Sequence, residues 1–181
     1  IPPDARIDYG ELAEYHTRLF VGREDVLGEI AKRVKKQSHG YLQLKALPGM
    51  GKTAILANLY DQHAHPAMEQ VDKGNRWAFH FCSALGGRNS TIVALRSLIA
   101  QTCDHFGWEA KPWLSQDIEE LKDKFFPALM KKASDALEGD QRLVVAIDAL
   151  DEGIGAEQES VPSCIPGGIY ERVVFLLSYR V

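Results

Sequence analysis

The chain has 181 residues, 45% hydrophobic and 25% charged, the balance of one globular domain with a sizeable core; wholesale disorder is excluded. Lys and Arg number 21 against 25 Asp and Glu, a formal charge of −4, so no global field draws the protein onto nucleic acid or an anionic membrane. No apolar run approaches the ~20 residues of a membrane span. The three cysteines, Cys82, Cys103 and Cys164, are an odd number without close spacing and no secretory signal opens the chain, so reduced thiols and a cytoplasmic location are expected. The chain begins at Ile1 rather than Met and stops just after an apolar run, which suggests a domain cut from a longer polypeptide.

Residues 1–19, with Pro2 and Pro3 at their start, read as a polar, irregular linker before a domain spanning 20–181. Phe20–Glu24 leads into a helix to about Lys36, with Val26, Leu27, Ile30 and Val34 on one face. Tyr41–Leu47 is strand-sized. A Pro-Gly-Met-Gly turn at 48–51 follows, then a helix over Lys52–Gln62 with Ile55, Leu56 and Leu59 inward. Residues 63–75 form a polar loop, and Trp77–Cys82 alternates as a second strand. After a Gly-rich loop at 83–89, Ser90 caps a helix to about Phe106 with Ile92, Leu95, Leu98, Ile99 and Cys103 inward. Ser115 opens another helical stretch, in which Ile118, Leu121 and Phe125 face inward. Pro127 should kink or split it before its end at Gly139, because proline lacks an N–H and clashes with the preceding turn. Arg142–Asp148 is a third strand, apolar throughout as if covered on both faces. A long connection at 149–169, including Gly153 and Gly155, precedes a fourth strand over Arg172–Ser178. Strands alternating with helices predict an α/β domain with a mainly parallel sheet flanked by helices on both faces. Ligands of such sheets bind at the carboxyl ends of the strands.

The strongest local signal is Ala46-Leu47-Pro48-Gly49-Met50-Gly51-Lys52-Thr53, followed by Ala54. It matches the phosphate-loop pattern G-x-x-x-x-G-K-[ST] apart from Ala46 at the first glycine, and lies between a strand and a helix as the pattern requires. Gly49 and Gly51 let the backbone curl so that N–H groups point at phosphate oxygens, and the helix aims its positive end at the same place. Lys52 supplies a mobile charge for the β and γ phosphates, and Thr53 a hydroxyl for Mg²⁺. Ala46 carries a Cβ and must therefore avoid positive φ. Downstream, Asp148 ends an apolar strand and is placed to hold Mg²⁺ through water, while Asp151 and Glu152 are candidates to orient an attacking water. No Asn-Lys-x-Asp guanine-reading motif is present, which favours an adenine nucleotide, ATP or ADP.

Asp148-Ala149-Leu150-Asp151-Glu152 resembles the acidic motif of NACHT-type NTPases, members of the STAND class of signalling ATPases: a metal-binding Asp, a small residue at Ala149, and a distal acidic pair. Phe20-Val21-Gly22-Arg23-Glu24 resembles the short motif upstream of the phosphate loop in that class, which implies that Val21, Gly22 and Arg23 meet the adenine side of the nucleotide. Ser178-Tyr179-Arg180 after an apolar strand resembles the sensor strand, whose Arg contacts the terminal phosphate; Tyr179 departs from the usual Thr-Ser-Arg. The resemblance spans about residues 20–181. It implies a slowly hydrolysing ATP/ADP switch with Mg²⁺ that controls homo-oligomerisation of a longer signalling or innate-immunity protein. The alternatives are an interaction module that keeps nucleotide without turnover, an AAA+ type ATPase, or a kinase, although no Arg-rich lid is evident.

Weaker signals carry structural expectations. His63 and His65 read as a solvated pair, since a metal site needs three or four ligands. His80 and Cys82 share a strand face and read as core-adjacent. Lys35-Lys36 and Lys131-Lys132 read as solvated helix faces, and Trp77, Trp108 and Trp113 as too scattered for a stacking platform.

Overall fold

A computed structural model describes residues 5–18, 20–64, 74–84, 87–153 and 160–180. His65, most of the loop at 63–75, part of the Gly-rich loop at 83–89, Gly155 and the opening Pro2-Pro3 lie outside the described residues.

Helix α1 spans Gly10–Thr17 and α2 Glu24–Lys36; strand β1 spans Gly40–Ala46, α3 Lys52–His63, β2 Asn75–Phe81 and α4 Thr91–Phe106. Helix α5 spans Phe126–Ala136, β3 Arg142–Asp148 and β4 Val173–Arg180. The strands form one parallel sheet in the order β1-β4-β3-β2. This is the expected α/β architecture, with helices on both faces.

Alternation along the strands sorts the core. Leu143, Val145 and Ile147 of β3 and Val173, Phe175 and Leu177 of β4 pack against α4 and α5. Val144, Ala146, Val174 and Leu176 point the other way, onto α1, α2 and α3. All seven residues of β3 are buried, as parallel pairing on both sides and cover on both faces require. Burying each Val, Leu or Phe contributes roughly 1.5–3 kcal/mol, so this double-sided layer dominates stability.

Three local expectations are corrected. Residues 1–19 are not irregular throughout. Helix α1 docks on α3 with Tyr9 and Ala13 buried, held by the Tyr9 N–H donating to the Tyr60 hydroxyl at 3.2 Å. The stretch after Ser115 is capped by Asp117, whose Oδ1 accepts from the backbone N–H groups of Glu119 and Glu120 at 2.8 and 3.3 Å. The expected break at Pro127 is present: a π-helical turn over Glu120–Phe125 gives way to α5, which has the proline in its first turn and ends at Ala136. Ser90 occupies the N-cap position of α4, yet its hydroxyl makes no capping bond.

Trp108 and Trp113 share one cation. Phe106 and Trp108 stack with centroids 4.4 Å apart, and the Lys132 ammonium lies 4.1 Å from the Trp108 ring and 5.5 Å from that of Trp113. Lys132 is thus a cation–π partner that staples the 107–114 segment to α5 rather than a merely solvated charge. His63 is not simply solvated either: it stacks on Trp77 at 4.7 Å.

His80 is fully buried. Its Nε2 lies 2.7 Å from the Arg88 carbonyl, which can only accept, so Nε2 carries the proton and Nδ1 accepts from the Tyr9 hydroxyl at 3.0 Å. Burial pushes its pKa down to about 4 from 6.5, and burial lowers His105 as well. The unfolded chain therefore binds more protons between those two values, and stability falls as pH falls through that window. Chemical denaturation at pH 7.5 and pH 5 should show a loss of roughly 2 kcal/mol from His80 alone. Equal stability at the two pH values would contradict the buried neutral imidazole.

Candidate functional site

Ala46 ends β1 in strand geometry with no positive φ, so the missing first glycine costs nothing at that position. Gly49 and Gly51 take φ of 77° and 81°, the left-handed region that a side chain resists. Gly51 is the N-cap of α3. No side chain caps that end and no acidic residue lies in its first turn, so its backbone N–H groups face the loop. The Lys52 ammonium donates to the carbonyls of Ala46 and Leu47 at 2.7 and 3.2 Å, which folds it over the loop.

The carboxyl ends of β3 and β4 supply the opposite wall. Asp148 is only 2% exposed and accepts a short hydrogen bond from the Ser178 hydroxyl. That hydroxyl oxygen accepts in turn from the Ala149 N–H at 3.1 Å. Ala149 sits at φ 49° and ψ 49°, a left-handed turn that swings the chain into a short 3-10 helix over Leu150–Glu152. There Asp151 and Glu152 both pair with the Arg180 guanidinium: Asp151 Oδ2 is 3.3 Å from Nε, and Glu152 Oε1 contacts Nη2. The Arg180 backbone N–H also donates to Asp151 Oδ1 at 3.2 Å. Ser178 and Arg180 lie two residues apart on one face of β4. Tyr179 points to the other face, donating to Gln43 at 3.0 Å, with Lys45 over its ring at 5.1 Å. The departure at Tyr179 thus leaves the direction of Arg180 untouched.

These walls enclose a cleft of about 320 Å³ lined by Pro48, Gly49, Gly51–Ala54, Asp148, Ala149, Asp151, Glu152, Ser178 and Arg180, with His16 at its edge. A second cleft, of about 420 Å³, is lined by Val21, Arg23, Phe20, Tyr15, Arg18 and, again, His16, Gly51 and Ala54. Arg23 ties the two together, donating to the Met50 carbonyl at 3.3 Å. Gly22, at φ 73°, and Met50 line neither cleft. Sequence reasoning missed His16, Tyr15 and Arg18, which follow from no motif, and treated Ser178 only as part of a strand motif.

The residues present fit a magnesium–nucleotide. Thr53 and Asp148 offer hard oxygen donors on one cleft, and Lys52 with the α3 N-terminus offers positive charge beside them. Among the described residues no cluster of three His, Cys, Asp or Glu could hold a metal unaided. Thr53 and Asp148 would hold Mg²⁺, which when bound would neutralise phosphate charge. The Cys82 thiol behind the site is pushed up to about 12, first by burial and then by Asp148 and Asp151, and is unreactive.

A family model described as Nephrocystin 3, N-terminal, matches residues 28–166, most of the chain. The chain belongs to the nephrocystin 3 N-terminal family. The matched span holds the loop at 46–54 and Asp148–Glu152, while His16, Val21–Arg23 and Arg180 lie outside it. No curated protein matches the chain. Among solved structures, a chain in the structure of Drosophila ORC bound to DNA aligns with all of this chain at 16% identity and a TM-score of 0.47. The present chain spans 45% of that one. Loop, sheet order and strand-end carboxylate together describe a P-loop NTPase-like domain. No helix among the described residues is long and apolar enough to cross a membrane.

The two halves of the acidic wall should differ in energetics. Ser178→Ala strips a buried carboxylate of its hydroxyl donor and should cost about 1–3 kcal/mol. Arg180→Ala breaks only half-exposed ion pairs and should cost about 1 kcal/mol or less. Urea unfolding of both variants checks this; a larger cost at Arg180 would mean that the ion pairs, not the buried bond, hold the wall.

Proposed function

We propose that this domain is an ATP/ADP-binding switch of the NACHT/STAND kind that hydrolyses ATP slowly and, within a longer protein, controls its homo-oligomerisation in signalling or defence. The observation that carries the reading is one cleft shared by Lys52, Thr53, Asp148, Asp151, Glu152 and Arg180. Residues 20–181 are the NTPase unit in this reading, and 1–19 an N-terminal segment whose helix Gly10–Thr17 packs on it.

Each side chain has a part. Pro48–Ala54 wrap the phosphates, and Lys52 exchanges its carbonyl partners for phosphate oxygens. Thr53 and Asp148 face Mg²⁺. Asp151 or Glu152 orients the attacking water, and Arg180 senses the γ-phosphate. Val21, Gly22 and Arg23 border the adenine. A second reading, nucleotide retention without turnover, draws support from the ion pairs in which Arg180 holds both Asp151 and Glu152. Carboxylates so engaged are poorly free to position water. A cytoplasmic location belongs to the proposal and not to the fold.

Calorimetry with Mg-ATP, Mg-ADP and Mg-GTP should show adenine-selective binding, weakened about 10- to 100-fold in Lys52→Ala, the range for a lost charge-assisted hydrogen bond. No binding at millimolar nucleotide, or no change in Lys52→Ala, overturns the reading. Asp151→Asn and Glu152→Gln then separate the two readings. Under the first, phosphate release falls at least about tenfold in one of the two variants with ATP affinity kept. Under the second, neither variant changes either quantity.

A further inference from the structure

The phosphate cleft and the base-side cleft meet, and their linings have three residues in common: His16, Gly51 and Ala54. Only His16 brings a polar side chain to that junction. Its ring makes an edge contact with Tyr15, centroids 5.1 Å apart, and among the described residues no hydrogen bond engages its ring nitrogens. The helix that carries it is held firmly. Ala13 is fully buried, the Tyr9 hydroxyl bonds buried His80, and the Tyr60 hydroxyl bonds Asp8 at 3.1 Å. The end of α1 is thus placed by contacts at Asp8, Tyr9 and Ala13, with His16 one turn beyond Ala13 and lining both clefts.

A nucleotide running from the base-side cleft to the loop must put its ribose and α-phosphate at that junction. From this geometry we infer that His16 is a nucleotide-contacting residue, its imidazole hydrogen-bonding the ribose, and that α1 is a wall of the site rather than a linker. The inference rests on the proposed nucleotide reading. It adds a residue that neither the loop motif nor the matched family span contains.

Calorimetry on the full chain tests it, with Mg-ATP, Mg-ADP and inorganic tripolyphosphate as probes, the last by displacement of ATP. His16→Ala should weaken ATP and ADP about three- to tenfold, the range for one neutral hydrogen bond. Tripolyphosphate, which lacks a ribose, should change less than about twofold, because Lys52 and the α3 N-terminus hold it alone. His16→Gln, which keeps an N–H donor, should recover most of the loss, and thermal unfolding should stay at the wild-type value. Unchanged ATP affinity in His16→Ala overturns the inference while leaving the nucleotide reading intact. Equal loss for ATP and tripolyphosphate also overturns it, since His16 would then act through the loop. Absence of ATP binding by the wild-type chain overturns the nucleotide reading and this inference together.

Discussion

The position of β4 between β1 and β3 governs the rest of the structure. Parallel pairing aligns Ala46 with Arg180, and Ile147 with Leu177, so the phosphate loop, the acidic strand end and the Ser178–Arg180 pair all leave the sheet at one edge. Both faces of β3 and β4 are covered, and neither strand carries a charge between its end residues. Polar chemistry is thereby driven to the carboxyl ends, where the strands emerge beside the N-terminus of α3. The location of the cleft follows from burial.

That cleft has a dry side and a wet side. Asp148 and Ser178 lie in the dry part, where a carboxylate without a donor is costly and the serine hydroxyl and Ala149 turn supply a fixed geometry. Asp151, Glu152 and Arg180 lie in the wet part, half-exposed and screened, where ion pairs are weak and exchangeable. The proposed switch would draw on this division: the carboxylate assigned to the metal stays put, while the charges assigned to a terminal phosphate change partners at small cost. Lys52 shares that exchangeability, since its present partners are loop carbonyls.

The Tyr9–His80–Arg88 chain ties the start of α1 to β2 at the edge of the sheet. A neutral imidazole that accepts from one side and donates to the other satisfies a buried polar group twice and joins α1, β2 and the following loop. Tyr60 of α3, bonded to the Tyr9 N–H and to Asp8, holds the start of α1 against α3.

What could be read from the sequence was whatever is carried by neighbours along the chain. The loop at 46–54 is contiguous, and its chemistry follows from Gly49, Gly51, Lys52 and Thr53 alone. Asp148 declares itself by ending an apolar run, Pro127 by the donor it lacks, and the α/β class by the alternation of periods. The surroundings of His16, Ser178, Lys132 and Trp108 could not be read this way. Each depends on a partner brought close by folding: Asp148 for Ser178, the loop of Gly51 for His16, α5 against the 107–114 segment for Lys132. The weakly patterned Gly10–Thr17 becomes a docked helix only because a buried pocket accepts Tyr9 and Ala13. Local spacing determines which backbone curls and which strand is buried. Only the packing of the sheet between its two helical layers decided which polar side chains share a cleft, because solvent exclusion acts on the assembled surface.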